Sequence, residues 1–167
     1  VIISAAAEVS DFRKVVEPVL QPDSNTAILY IPFTEGTFCL GGSSFGQLIG
    51  RIGNHTPTVS DPSYFLSVFN SIQKLIKDQK IIAGHDVSSG GLITTLLEMC
   101  FGRNDTGMEL DLSEISDKDL VRILLSEQPV VIIQVNNPNE ITESLNKLGV
   151  KAFNIGKTSK ERKVKIS

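Results

Sequence analysis

Ala83-Gly84-His85-Asp86-Val87-Ser88-Ser89-Gly90-Gly91-Leu92 is the stretch on which the fold turns. Ile81-Ile82-Ala83 reads as a short strand running into it, and Leu92 to Phe101 reads as a helix leaving it. The turn between them is polar and rich in glycine, and Gly90 and Gly91 permit positive φ and close backbone approach. Such a turn can aim backbone N–H groups and the positive end of a helix at one anion. Asp86 and Ser88 are two positions apart, so an extended chain points both side chains the same way. A carboxylate beside a hydroxyl suits a hard cation that bridges to phosphate oxygens. The competing reading is a structural turn with Ser88 or Ser89 as helix N-cap. Neither the P-loop nor the dinucleotide fingerprint is present.

Outward from this turn, strands and helices alternate. Upstream, Val1 to Ala6 reads as a buried strand and Asp11 to Val16 as a short helix stopped near Pro18. Ala27 to Ile31 is a second strand ended by Pro32. A tight turn, Leu40-Gly41-Gly42-Ser43, opens a helix through Phe45, Leu48 and Ile49. Asp61-Pro62 is an acidic N-cap with proline at the first helical position. The apolar set Phe65, Leu66, Phe69, Ile72, Leu75 and Ile76 that follows keeps helical spacing and makes one wide face. Downstream, Met108 to Leu112 alternates like a strand and Asp117 to Leu125 is helical. Val130 to Val135 is too apolar to have a wet face. Pro138 to Leu148 is an amphipathic helix stopped by Gly149. Ala152 to Ile155 and Val164 to Ile166 are the last strands. The expected fold class is α+β, a single domain of mixed α/β layers around a central mixed sheet flanked by helices.

Bulk properties narrow the function. The chain has 167 residues, enough to bury its own core. A net charge of −3 argues against a nucleic-acid surface. The basic run Lys157 to Lys165 contains Glu161 and reads as a solvated terminus. No apolar run approaches the ~18 residues of a membrane span, so no membrane partner is expected. Cys39 and Cys100 are too few for a metal cluster or a disulfide framework. Asn54-His55-Thr56 and Asn104-Asp105-Thr106 match the glycosylation pattern, but no secretory segment precedes them, and the chain reads as cytoplasmic. It opens without Met in what reads as mid-strand, which suggests a segment of a longer polypeptide. Glu98 lies on an apolar helix and needs a partner, for which Arg103 is the candidate.

Several blocks resemble the phosphoribosylformylglycinamidine synthases. His85-Asp86-Val87-Ser88-Ser89-Gly90-Gly91-Leu92 with Leu96-Leu97-Glu98-Met99 is similar to that family's His-Asp-x-Ser-Asp-Gly-Gly-Leu and Leu-Leu-Glu-Met blocks. Leu40-Gly41-Gly42-Ser43 with Gln47 resembles its Leu-Gly-Gly-Ser block. Val1 to Val19 looks like the segment leading in. Ser126-Glu127 before Val130 to Val135, and Gly149 to Ala152 before Ile155-Gly156, fit its last third. The likeness covers nearly the whole chain and points to the AIR-synthase-related carboxy-terminal-type domain of the second synthase half. Ser89 stands where the family has an acidic residue, leaving Asp86 as the one carboxylate of the turn.

The resemblance implies an ATP-dependent C–N ligase of purine synthesis, which converts formylglycinamide ribonucleotide to formylglycinamidine ribonucleotide with glutamine as the ammonia source. It implies Mg²⁺ and ATP or ADP as cofactors, with Asp86 on the metal and Ser88 on the nucleotide. His85, Gly90 and Gly91 would line the nucleotide site, and Gly41, Gly42 and Ser43 a phosphate or substrate pocket. Such enzymes hold one catalytic and one structural nucleotide, and this type of domain helps to form the structural site. The implied partners are the amino-terminal-type synthase domain and a glutaminase domain, so the isolated domain is expected to be inactive. The alternatives are a relative of AIR synthase, selenophosphate synthetase or hydrogenase-maturation proteins, or a stand-alone, non-catalytic ligand-binding module.

Overall fold

In the computed structural model, residues 4–9, 11–36, 38–115, 117 and 119–167 are described. Of the opening strand read over Val1 to Ala6, Val1 to Ile3 fall outside the described residues, and Ser4 to Ala6 form no strand. The helix expected over Asp11 to Val16 shrinks to one 3-10 turn, Phe12–Lys14.

Strand β1 (Ala27–Pro32) is followed by the short helix α1 (Ser44–Leu48) and the long helix α2 (Pro62–Lys77). Strand β2 (Ala83–Asp86) leads to α3 (Gly91–Phe101), and then come β3 (Gly107–Leu110) and α4 (Leu120–Leu125). Strand β4 (Val130–Val135), helix α5 (Pro138–Lys147), β5 (Phe153–Ser159) and β6 (Val164–Ile166) complete the chain. The strands form one sheet in the order β2-β4-β1-β5-β3-β6. Every pairing is antiparallel except β3 with β6, so the sheet is mixed and helices cover both faces, as the α+β reading expected.

Side-chain alternation sorts the two cores. Ile28 and Tyr30 of β1 and Val130 and Ile132 of β4 pack with Leu92, Leu96 and Met99 of α3. Leu29 and Ile31 of β1 and Ile133 and Val135 of β4 face the other way, onto Val68 and Ile72 of α2 and Ile141 and Leu145 of α5. A two-residue period with both faces covered explains why β1 and β4 read as unbroken apolar runs. Burying each Ile or Leu contributes roughly 1.5–3 kcal/mol. The polar exception is Gln134, fully buried in β4. Its Oε1 accepts from the Gln21 N–H at 2.8 Å, and its Nε2 donates to the Gln21 carbonyl and to Thr26 Oγ1. With its amide satisfied, its burial carries little penalty.

Three local readings shift. Asp61 Oδ1 does cap α2 through the N–H groups of Ser63 and Tyr64, but Leu66 and Phe69 are exposed, so the buried stripe is narrower than one wide face. The short strand near Ile81 lies two residues later, because the ladder with β4 continues as far as Asp86 opposite Val131. The basic run at the end keeps its basic side chains exposed, as the solvated reading expected, but its backbone joins the sheet, where Lys165 of β6 and Lys157 of β5 flank Glu109 of β3 at 3.1 and 3.8 Å. Among the described residues, no helix is long and apolar enough to cross a membrane.

Candidate functional site

Strand β2 ends by presenting its polar residues in alternation. Val87 N–H donates to the Val130 carbonyl at 2.8 Å and extends the ladder by one more residue. Val87 is buried with Leu92 and Leu96, whereas the Asp86 side chain is 79% exposed and Ser88 is exposed. A strand's two-residue period thus turns the carboxylate and the hydroxyl outward together. Thr95 Oγ1 donates to the Asp86 carbonyl and ties α3 to the strand end.

The chain then reverses through Gly90 (φ +90°) and Gly91 (φ +75°). Left-handed backbone is strained for any residue with a Cβ. At Gly91 a Cβ would also lie 2.7 Å from the Leu124 carbonyl, so glycine is what lets α3 start against the end of α4. Gly90 is the N-cap and no side chain caps the helix, which corrects the reading of Ser88 or Ser89 in that role. A left-handed residue stands between each serine and the first helical turn, so their hydroxyls are carried away from its N–H groups.

What meets the start of α3 is a carboxylate from elsewhere. Glu127 Oε1 accepts from the Gly90 N–H at 2.9 Å and from the Ser44 N–H at 2.8 Å. One oxygen therefore holds the first residues of α1 and α3 together, and its negative charge sits at both helix N-termini. Partial burial pushes the Glu127 pKa up, but the N–H donors of Ser44 and Gly90 outweigh it and hold the carboxyl below its ordinary value. Residues just upstream hold the segment that leads into the Leu40–Ser43 turn: Ser126 Oγ donates to the Cys39 carbonyl at 2.8 Å, and Arg122 of α4 donates to the Phe38 carbonyl through both Nε, at 2.8 Å, and Nη2. Sequence reasoning gave Glu127 no role at the site. Its position just before the most apolar strand was the available signal, since the residues entering a strand stand at the end of the sheet.

The Leu40–Ser43 turn uses its own polar groups. Ser43 is buried; its hydroxyl donates to the Leu40 carbonyl at 2.7 Å and accepts from the Gly46 N–H at 3.1 Å as the cap of α1. Gly41 donates to the His55 carbonyl at 2.8 Å and lies so close to that backbone that a Cβ would collide with it. Gly42 (φ +74°) is exposed.

His85 faces α3, with Nε2 3.4 Å from Glu98 and Nδ1 3.4 Å from Asp86. Glu98 thus meets His85, while Arg103 pairs with Asp105 at 2.9 Å, which replaces the expected Glu98–Arg103 pair. His55 is exposed, Cys100 is buried with its thiol pKa raised by that burial, and neither lies at this turn.

The arrangement offers a solvent-facing carboxylate and hydroxyl beside two helix starts. The N–H groups of Gly90 and Gly91 are already engaged, by Glu127 and by the Ser88 carbonyl. These two amides are therefore not free to cradle an anion. Among the described residues no group of three or more His, Cys, Asp and Glu is placed to hold a metal ion. Asp86 and Ser88 fit a hard, oxygen-seeking cation, but as part of a ligand set that needs about six oxygens.

Comparison with known proteins gives the chain's family and fold. Residues 37–167 match the family model described as AIR synthase related protein, C-terminal domain. The chain is 32% identical over 160 residues to phosphoribosylformylglycinamidine synthase of Homo sapiens, covering 94% of this chain and 12% of that protein. It is 36% identical over 158 residues to a probable phosphoribosylformylglycinamidine synthase, chloroplastic/mitochondrial, of Arabidopsis thaliana, covering 93% of this chain and 11% of that one. The chain thus spans about an eighth of the length of these relatives. T. maritima PurL complexed with ATP has the same fold, with a TM-score of 0.69 at 13% identity, covering 93% of this chain and 25% of that one.

Proposed function

The chain belongs to the AIR synthase related protein, C-terminal domain family, and from that membership we propose that it is one domain of a phosphoribosylformylglycinamidine synthase and contributes a Mg²⁺-nucleotide site. The observation that carries the reading is the outward pair Asp86 and Ser88, set on a rigid strand end and followed by the left-handed Gly90–Gly91 turn into α3. Asp86 would hold the cation. Ser88 would contact the nucleotide, with His85 fixed behind by Glu98. When bound, the Mg²⁺ would neutralise phosphate charge and hold the polyphosphate in one orientation. The ATP held by the T. maritima relative supports a nucleotide as the ligand.

The remaining cation ligands would come from an amino-terminal-type domain of the same enzyme, and ammonia from a glutaminase domain. The exposed side chains of Phe12, Leu48, Ile52 and Phe101 support burial against further domains. Alone, the domain would lack the reaction. The parent enzyme would use ATP and glutamine to turn formylglycinamide ribonucleotide into formylglycinamidine ribonucleotide.

The test is Asp86→Ala in the full-length protein, with bound nucleotide measured after gel filtration. The reading expects the Mg²⁺-dependent nucleotide to be lost, and unchanged nucleotide content would refute it.

A further inference from the structure

Away from the β2–α3 turn, a cavity of about 650 Å³ opens where β1 ends and β4 and β5 begin. That volume lies within the roughly 300–1,000 Å³ of small-molecule sites. The apolar part of its wall comes from Phe38, Ile115, Val130 and Phe153. Tyr30 of β1 completes it, its ring 6.2 Å from that of Phe153 and inclined at 60°, an edge-to-face pair.

Tyr30 is only 4% exposed, yet it lines this space. Burial pushes its hydroxyl pKa up. A hydroxyl at the wall of a cavity is placed to exchange a hydrogen bond with a bound molecule. On the rim, Glu35 pairs with Lys151 at 3.0 Å. Glu114 also lines the cavity and makes no ion pair among the described residues, so among the described lining residues two carboxylates face one ammonium group.

We infer that this cavity binds a small planar aromatic or heteroaromatic molecule that is neutral or cationic. The ring lies against Phe38 and Phe153 and shares a hydrogen bond with the Tyr30 hydroxyl. A polar or positive edge faces Glu114. The same rim turns away rings that carry a carboxylate or phosphate, which separates this site from the one at Asp86. The inference stands independently of the nucleotide reading.

Nicotinamide and nicotinate test it, because they share a shape and differ in charge. Their binding to the full-length protein is measured by ligand-observed NMR titration, with Tyr30→Phe and Ala152→Phe as variants. Tyr30→Phe removes one oxygen, and Ala152→Phe fills the cavity from its lining. The expected result is nicotinamide binding that weakens roughly three- to tenfold in Tyr30→Phe, disappears in Ala152→Phe, and exceeds nicotinate binding at least threefold. ATP retention stays unchanged in Tyr30→Phe, which distinguishes this site from the Asp86 site. Absence of nicotinamide binding, equal binding of the two probes, or binding indifferent to both substitutions overturns the inference.

Discussion

Two glycine turns lie side by side in this domain, and they put nearly the same residue types to opposite uses. In Leu40–Ser43 the serine is buried and caps α1, and Gly41 packs on the backbone of His55. In Ser88–Gly91 the serine is exposed, α3 has no side-chain cap, and the glycines turn the chain while the Asp86 and Ser88 side chains stay at the surface. Glu127 joins both turns through one oxygen. A glycine-rich turn is therefore not in itself a site. What separates the two is which polar groups are left over once the local hydrogen bonds are made.

The comparison breaks most readily at the glycines. Gly91→Ala is expected to cost about 3 kcal/mol or more, because it adds left-handed strain to a clash with the backbone of Leu124 and Leu125. Gly42→Ala, where the nearest atom is a Thr56 methyl at 3.4 Å, should cost only the ~1–2 kcal/mol of the left-handed conformation. Denaturant midpoints of the two variants check this, and equal losses would mean that the close approach of α3 to α4 is unimportant.

Glu127→Gln tests the shared pin and is expected to cost about 1 kcal/mol, since charge-assisted bonds at a half-exposed site are weakened by solvent. Its signature is in the pH dependence. The folded pKa is held below the unfolded ~4.3. The carboxylate's contribution is therefore complete above the unfolded value and lost as pH falls through the folded one. Thermal melts from pH 6 down to pH 3 should show a shallower acid limb in Glu127→Gln than in the parent, and parallel limbs would contradict the pin.

The serines give the smaller effects. Ser43→Ala removes a buried cap and should cost ~0.5–2 kcal/mol. Ser88→Ala should stay within about 0.5 kcal/mol on melting, as an exposed substitution does, and weaken nucleotide retention. Equal melting losses for the two would erase the distinction between the turns.

Much of this was legible in the sequence where the cause is local. Ala27–Ile31 and Val130–Val135 read as strands, the second too apolar to have a wet face, and both lie inside the sheet and not at its edges. Asp61-Pro62 marked the start of α2, and Gly149 (φ +73°) the end of α5. The outward pair Asp86 and Ser88 followed from strand alternation. What escaped depends on contacts across the fold. Glu127 reaches residues 37 and 83 positions away, and no local pattern encodes that. Gln134 is tolerated in an apolar strand because Gln21 and Thr26 come to it. Arg103 was one candidate partner for Glu98, but Asp105 was nearer at hand and His85 was already facing Glu98.

The most direct test of the site uses Mn²⁺ in place of Mg²⁺. Crystals of the full-length protein grown with Mn²⁺ and ADP would be measured for anomalous scattering. A manganese peak within ~2–2.5 Å of the Asp86 carboxylate, with none at the Leu40–Ser43 turn, is the predicted result. A nucleotide-bound manganese elsewhere, with Asp86 left facing water, would contradict the account.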